Sequence, residues 1–142
     1  AWFEDAPPEH YPRQALATLT THDLPTAAGV WSGDDAADQR AAGIEPDEAA
    51  LERLKGKLIG LTGLGPEAPV EEVIVAAHAR LASAPSALVA ATLEDALALR
   101  LRPNLPGTLE ERPNWKLALP LPLADVFIDP LVARVAVALE RP

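Results

Sequence analysis

The chain has 142 residues, 49 % of them apolar, and a formal charge of −9. That is enough for one domain with a real core, and too apolar for a disordered chain. The acidic balance argues against nucleic-acid binding and against docking on anionic membranes, both of which need Lys and Arg, and the lack of Cys excludes disulfides and thiolate metal sites. No apolar run is long enough to span a bilayer, and no signal peptide is visible at the N-terminus, which points to the cytoplasm. There is no Met either, and the chain opens on "AWFED", as expected of initiator removal or of a piece cut from a longer protein. Fifteen prolines predict many irregular connections.

In chain order, residues 5–14 read as a proline-rich loop and residues 15–20 as a short buried strand. Pro25 allows a helix to begin near it, and "VWSGD" (30–34) predicts a turn around Gly33. Asp34 and Asp35 can cap a helix through about Ala42. Asp47 starts another, with Ala50, Leu51, Leu54, Leu58 and Ile59 at helical spacing, and residues 60–69 form a loop. Val70, Val73, Ile74, Ala77 and Leu81 make the clearest helical stripe, which Pro85 ends. Residues 86–92 read as a second strand, again followed by acids, Glu94 and Asp95. Polar groups at the C-terminal ends of strands joined through helices are where such folds build sites. Residues 101–122 predict a long loop, functional or disordered, and a helix closes the chain from about Pro130 to Glu140.

Several clusters invite a chemical reading. In "TTHDLPT" (20–26), His22 and Asp23 stand together after a strand. Asp23 reads either as the N-cap of the next helix or as a carboxylate placed to accept sugar hydroxyls and to face an oxocarbenium-like centre. "NLPGT" (104–108) is a tight turn that also offers the Asn104 carboxamide. Trp115 in "PNWK" (113–116) is either a packing anchor or an aromatic platform for a sugar, and packing is the reading for Trp2 and Trp31 too. Asp34, Asp35 and Asp38 lack calcium-loop spacing and read as a solvated helix start. "GLTGLG" (60–65) lacks the Gly-Lys-Ser/Thr ending of a phosphate loop. His10 and His78 have no partners at metal spacing, and no Gly-x-Ser-x-Gly elbow is present.

As an ordered set, "WFE" (2–4), "YPRQALATLTTHDLPT" (11–26), "VWSGDD" (30–35), "SALVAATLEDAL" (86–97), "NLPGT" and "PNWK" resemble the C-terminal part of the 4-α-glucanotransferases, or amylomaltases, of glycoside hydrolase family 77. The resemblance implies an α/β chain: the C-terminal part of a (β/α)₈ TIM barrel, strands seven and eight with their helices, predominantly helical as a fragment. Residues 1–142 would be one segment of the catalytic barrel with no second domain, and "AWFE" would end strand six. It implies that Asp23 is the catalytic carboxylate that stabilises the transition state, and that His22 and Asn104 bind substrate. The partners implied are α-1,4-glucan or maltooligosaccharide and a glucose acceptor, with no cofactor, metal, nucleic acid or membrane. A retaining transfer also needs a nucleophile and an acid/base carboxylate ~5–5.5 Å apart. In this family both come from strands four and five, so the fragment alone is expected to be inactive and to self-associate through uncovered surfaces. Two alternatives stand beside this reading: a stand-alone helical interaction module, and part of an α-amylase-type hydrolase, which shares the His-Asp pair. "NLPGT…PNW" favours the glucanotransferase.

Overall fold

The computed structural model describes residues 4–141, so Trp2 and most of "AWFE" lie outside the described residues. After a 3₁₀ turn at Pro8–His10 comes strand β1 (Leu16–Thr18), followed by helices α1 (Ala27–Ser32), α2 (Asp34–Ala41), α3 (Glu48–Thr62) and α4 (Val70–Leu81). Strand β2 (Leu88–Ala90) then leads to α5 (Leu93–Ala96), α6 (Leu123–Val126) and α7 (Pro130–Ala138). The two strands pair in parallel, with Leu16 opposite Leu88, Ala17 opposite Val89 and Thr18 opposite Ala90. The chain is therefore mostly helical around a minimal parallel sheet. Both strands are shorter than their apolar runs, because a two-stranded ladder satisfies only the residues that face a partner.

Helices α3, α4 and α7 follow the apolar periodicity. Asp47 caps α3 by accepting the Ala50 N–H at 2.8 Å, and Asp129 caps α7 through the N–H groups of Leu131 and Val132 at 2.9 and 3.1 Å. The α4 stripe is fully buried at Val73, Ile74, Ala77 and Leu81, which pack with Leu19, Leu58 and Val135. Burying a side chain of this size contributes about 1.5–3 kcal/mol, so α4 is the centre of the core. Helix α7 lies on α4, and Arg134 donates to both carboxylate oxygens of Glu72 at 2.8 Å. Among the described residues no helix is long and apolar enough to cross a membrane.

Two local expectations are corrected. "VWSGD" is not a turn until Gly33: Val30 to Ser32 complete α1, and Gly33, at φ 84°, joins α1 to α2. Thr26 starts α1 early by accepting the Gly29 N–H at 3.0 Å. The 60–69 loop begins only at Gly63, since α3 runs through Thr62 before Gly63 turns left-handed. Trp31 is the packing anchor expected, buried with its indole N–H donated to the Ala68 carbonyl at 3.0 Å.

One face of the sheet is uncovered. Leu16 and Leu88, opposite one another, are 58 % and 63 % exposed. An apolar pair of this kind on a sheet face is a surface awaiting cover.

Candidate functional site

His22 and Asp23 occupy the two central positions of a turn closed by the Leu24 N–H on the Thr21 carbonyl, 3.1 Å away. This turn sits just beyond β1, so both side chains project from the C-terminal end of the sheet. They are about half exposed, with His22 Nε2 3.3 Å from Asp23 Oδ2. Asp23 does not cap a helix, because Thr26 fills that role for α1.

Asn104 arrives from the long loop between α5 and α6. Its Nδ2–H donates to Asp23 Oδ1 at 2.6 Å, so each carboxylate oxygen has a neighbour. Trp115, from the same loop, sets its ring 5.1 Å from the His22 ring, tilted by 48°. At 64 % exposure it is not a packing anchor. Its backbone is left-handed, φ 62°, and its N–H is tied to the Pro103 carbonyl at 2.9 Å. A non-glycine residue held there costs about 1–3 kcal/mol, which the surrounding structure must offset.

The loop supplies that support from its own motif. Gly107, at φ 90°, makes the left-handed bend in "NLPGT". The Thr108 hydroxyl donates to the Leu105 carbonyl at 2.7 Å, and the Asn114 carboxamide donates to the Thr108 hydroxyl at 2.7 Å while accepting the Leu105 N–H at 2.9 Å. Asn114 thus closes the two halves of "NLPGT…PNW" and fixes Asn104 and Trp115 on either side.

The loop is fastened to α2 by three ion pairs. Arg100 Nη1 meets Asp34 at 3.0 Å, Arg102 Nη2 meets Asp35 at 2.8 Å, and Arg112 Nε lies 2.8 Å from Asp38 at an angle outside the hydrogen-bonding range. The expectation of a solvated acidic helix start is therefore overturned: Asp35 is 2 % exposed and Arg102 is 7 % exposed. Stranding one partner of such a buried pair costs about 3–5 kcal/mol, whereas the exposed Arg100–Asp34 pair contributes about 0–1 kcal/mol.

Beneath the turn lies a second buried group. Asp95, expected at the strand's polar rim, is instead fully buried in α5. Its Oδ2 accepts the Thr20 hydroxyl at 2.5 Å and its Oδ1 accepts the Ala27 N–H at 2.9 Å, so it clamps both ends of the segment carrying His22 and Asp23. Burial raises its carboxyl above the usual range, opposed by these bonds and by His78. His78 is buried with Nδ1 2.8 Å from the Ile74 carbonyl and no partner on Nε2, and burial pushes its imidazole below the ordinary value of 6.5. Among the described residues no three His, Asp or Glu side chains converge to hold a metal ion.

All three sequence-predicted site residues, His22, Asp23 and Asn104, thus meet in one place. The arrangement offers an acceptor-rich carboxylate, an imidazole, a carboxamide and an exposed indole face. Sequence reasoning missed Arg102, Arg112, Asp35 and Asn114 as the supports. The only local signal for Asn114 was its place inside "PNWK", and nothing near Asp35 announces an arginine 67 residues away.

Comparison with known proteins bears on this geometry. The chain is 35 % identical to a 4-alpha-glucanotransferase of Mycobacterium bovis over 98 % of its length, covering 23 % of that protein. It is 29 % identical to a 4-alpha-glucanotransferase of Haemophilus influenzae, over 82 % of this chain and 19 % of that one. The fold superposes on the amylomaltase crystal structure from Corynebacterium glutamicum with a TM-score of 0.78 and 26 % identity, over 99 % of this chain and 25 % of that one. The chain therefore spans about a quarter of the length of these relatives. A model of the glycoside hydrolase 77 family, described as 4-alpha-glucanotransferase, matches residues 2–123, and the chain belongs to that family.

Proposed function

We propose that this chain is the C-terminal part of the catalytic barrel of a 4-alpha-glucanotransferase, with β1 and β2 as strands seven and eight. The whole protein would transfer α-1,4-glucan segments to glucose or to another glucan with retention of configuration. The carrying observation is the convergence of Asn104 and His22 on Asp23, with Trp115 against the His22 ring, at the C-terminal end of β1.

Each partner of Asp23 can be exchanged for sugar. A carboxylate accepts two hydroxyl hydrogen bonds, and the Asn104 carboxamide and His22 imidazole then turn to the same ring. As the glycosidic bond breaks, positive charge develops on the sugar, and a fixed carboxylate gains attraction that it did not have in the ground state. Trp115 presents an aromatic face on which an apolar sugar face can rest.

The side-chain partners of Asp23 described above are an imidazole and a carboxamide. Neither is a carboxylic acid, and we take the nucleophile and acid/base of a retaining transfer to lie elsewhere in the whole protein. The uncovered Leu16–Leu88 face supports the same reading, since a barrel interior is packed by side chains from other strands. Incubation of the isolated chain with maltotriose tests it: no glucose above a blank is expected. Glucose release that Asp23→Asn abolishes would overturn the proposal.

A further inference from the structure

We infer that Arg102 is the positioning residue of this site: its guanidinium fixes Asp23 to helix α2, so that the 21–24 turn and residues 102–104 hold one geometry. The inference rests on the reading of Asp23 given above. Asp23 is gripped twice by one three-residue segment. Arg102 Nη1–H donates to the Asp23 main-chain carbonyl at 3.0 Å, and Asn104 Nδ2–H donates to the Asp23 carboxylate at 2.6 Å. The first contact sets where the Asp23 backbone sits, and the second sets where its carboxylate points.

Arg102 is itself located from two sides. Its Nη2–H donates to Asp35 Oδ2 at 2.8 Å, and Asp35 is held by the Gln39 carboxamide, also at 2.8 Å. The Arg102 carbonyl accepts from Arg112 Nη2 at 2.5 Å, and Arg112 pairs with Asp38, one turn along α2 from Asp35. A guanidinium has a rigid planar fork, so seating one Nη on Asp35 fixes where the other points. Lysine has one flexible ammonium and cannot hold both acceptors in that geometry. The neighbouring Arg100–Asp34 pair joins the same loop to the same helix, but its side chains are 61 % and 39 % exposed and bond each other rather than Asp23. It serves as an internal control.

The test uses the whole glucanotransferase that contains this chain, with rates normalised to the folded fraction. Arg102→Lys and Asp35→Asn should each lower kcat by about 10–10²-fold with KM within about twofold, as misplacement of a group acting in the transition state does. Asp34→Asn should leave kcat unchanged. The pair Arg102→Met with Asp35→Leu removes both buried charges, so it should regain thermal stability without regaining kcat. In the 142-residue chain, that pair should also abolish the nuclear Overhauser contact between the His22 and Trp115 rings, which Asp34→Asn should retain.

Asp23→Asn is the reference arm. If it leaves kcat intact, the reading of Asp23 fails, and the ring contact still decides whether Arg102 positions the turn. If it lowers kcat while the Arg102→Met/Asp35→Leu pair keeps both kcat and the ring contact, the positioning role of Arg102 is overturned and the reading of Asp23 stands.

Discussion

Gly29→Ala is a one-carbon change that the structure predicts to loosen the site from a distance. Gly29 sits in the first turn of α1, where the Arg100 carbonyl packs against it. A Cβ built there would lie 2.3 Å from the Arg100 oxygen and 2.9 Å from Thr26 Oγ1. The Arg100 backbone must therefore retreat by roughly 0.7 Å to reach even a tight contact, in an interior that is close-packed. Forcing an extra carbon into such a place costs about 1–3 kcal/mol. Alanine returns up to ~1 kcal/mol in helix propensity, which is reduced in the first turn of a six-residue helix. The expected net is a loss of about 1–2 kcal/mol. Because Arg100 leads directly into Arg102 and Asn104, the displacement reaches the contacts on Asp23. Urea unfolding followed by circular dichroism should show a lower midpoint with an unchanged slope, and the His22–Trp115 ring contact should weaken. A Gly29→Ala chain as stable as the parent, or more so, would show that Arg100 does not pack on α1 as described.

Two further outcomes follow, one from a buried ring and one from an exposed sheet face. His78 should titrate below 6.5 in a ring-proton NMR experiment, because burial disfavours its charged form. Its folded value lies below its unfolded one, so its contribution to stability is intact above about 6.5 and falls as the pH drops through that value. Asp95, with its folded value raised, contributes with the opposite sign, which is why the ring itself is the cleaner readout. A His78 midpoint above 6.5 would contradict its burial. Leu16→Lys with Leu88→Glu should shift the isolated chain toward the monomer in light scattering, since these residues carry the uncovered sheet face. An unchanged particle size would place any association elsewhere.

Much of the site was readable because its parts are short and local. "TTHDLPT" puts His22 and Asp23 in a single turn, and "NLPGT" contains its own left-handed glycine and hydroxyl. Helices α3, α4 and α7 declare themselves by apolar spacing and capping aspartates or proline boundaries. Helix α1 was obscured because six residues carry no stripe, and α5 and α6, with four residues each, carry less. The supports of the site were not readable for a different reason. Asp35 and Asp38 look like surface acids until the fold brings Arg102 and Arg112 to them, and Asp95 looks like a rim residue until Thr20 and Ala27 enclose it. Trp115 was ambiguous because its left-handed backbone, which turns the indole outward, is a property of the closed loop and not of the residue.

The most direct test of the account is Asp23→Asn in the whole enzyme, measured as disproportionation of a maltooligosaccharide with kcat and KM determined separately. An amide can keep part of the hydroxyl hydrogen bonding to the neutral ground state, but it cannot match the carboxylate against developing positive charge. The substitution should lower kcat and kcat/KM together by about 10²–10³-fold with KM nearly unchanged. A raised KM with kcat intact would contradict it and make Asp23 a residue that only binds sugar.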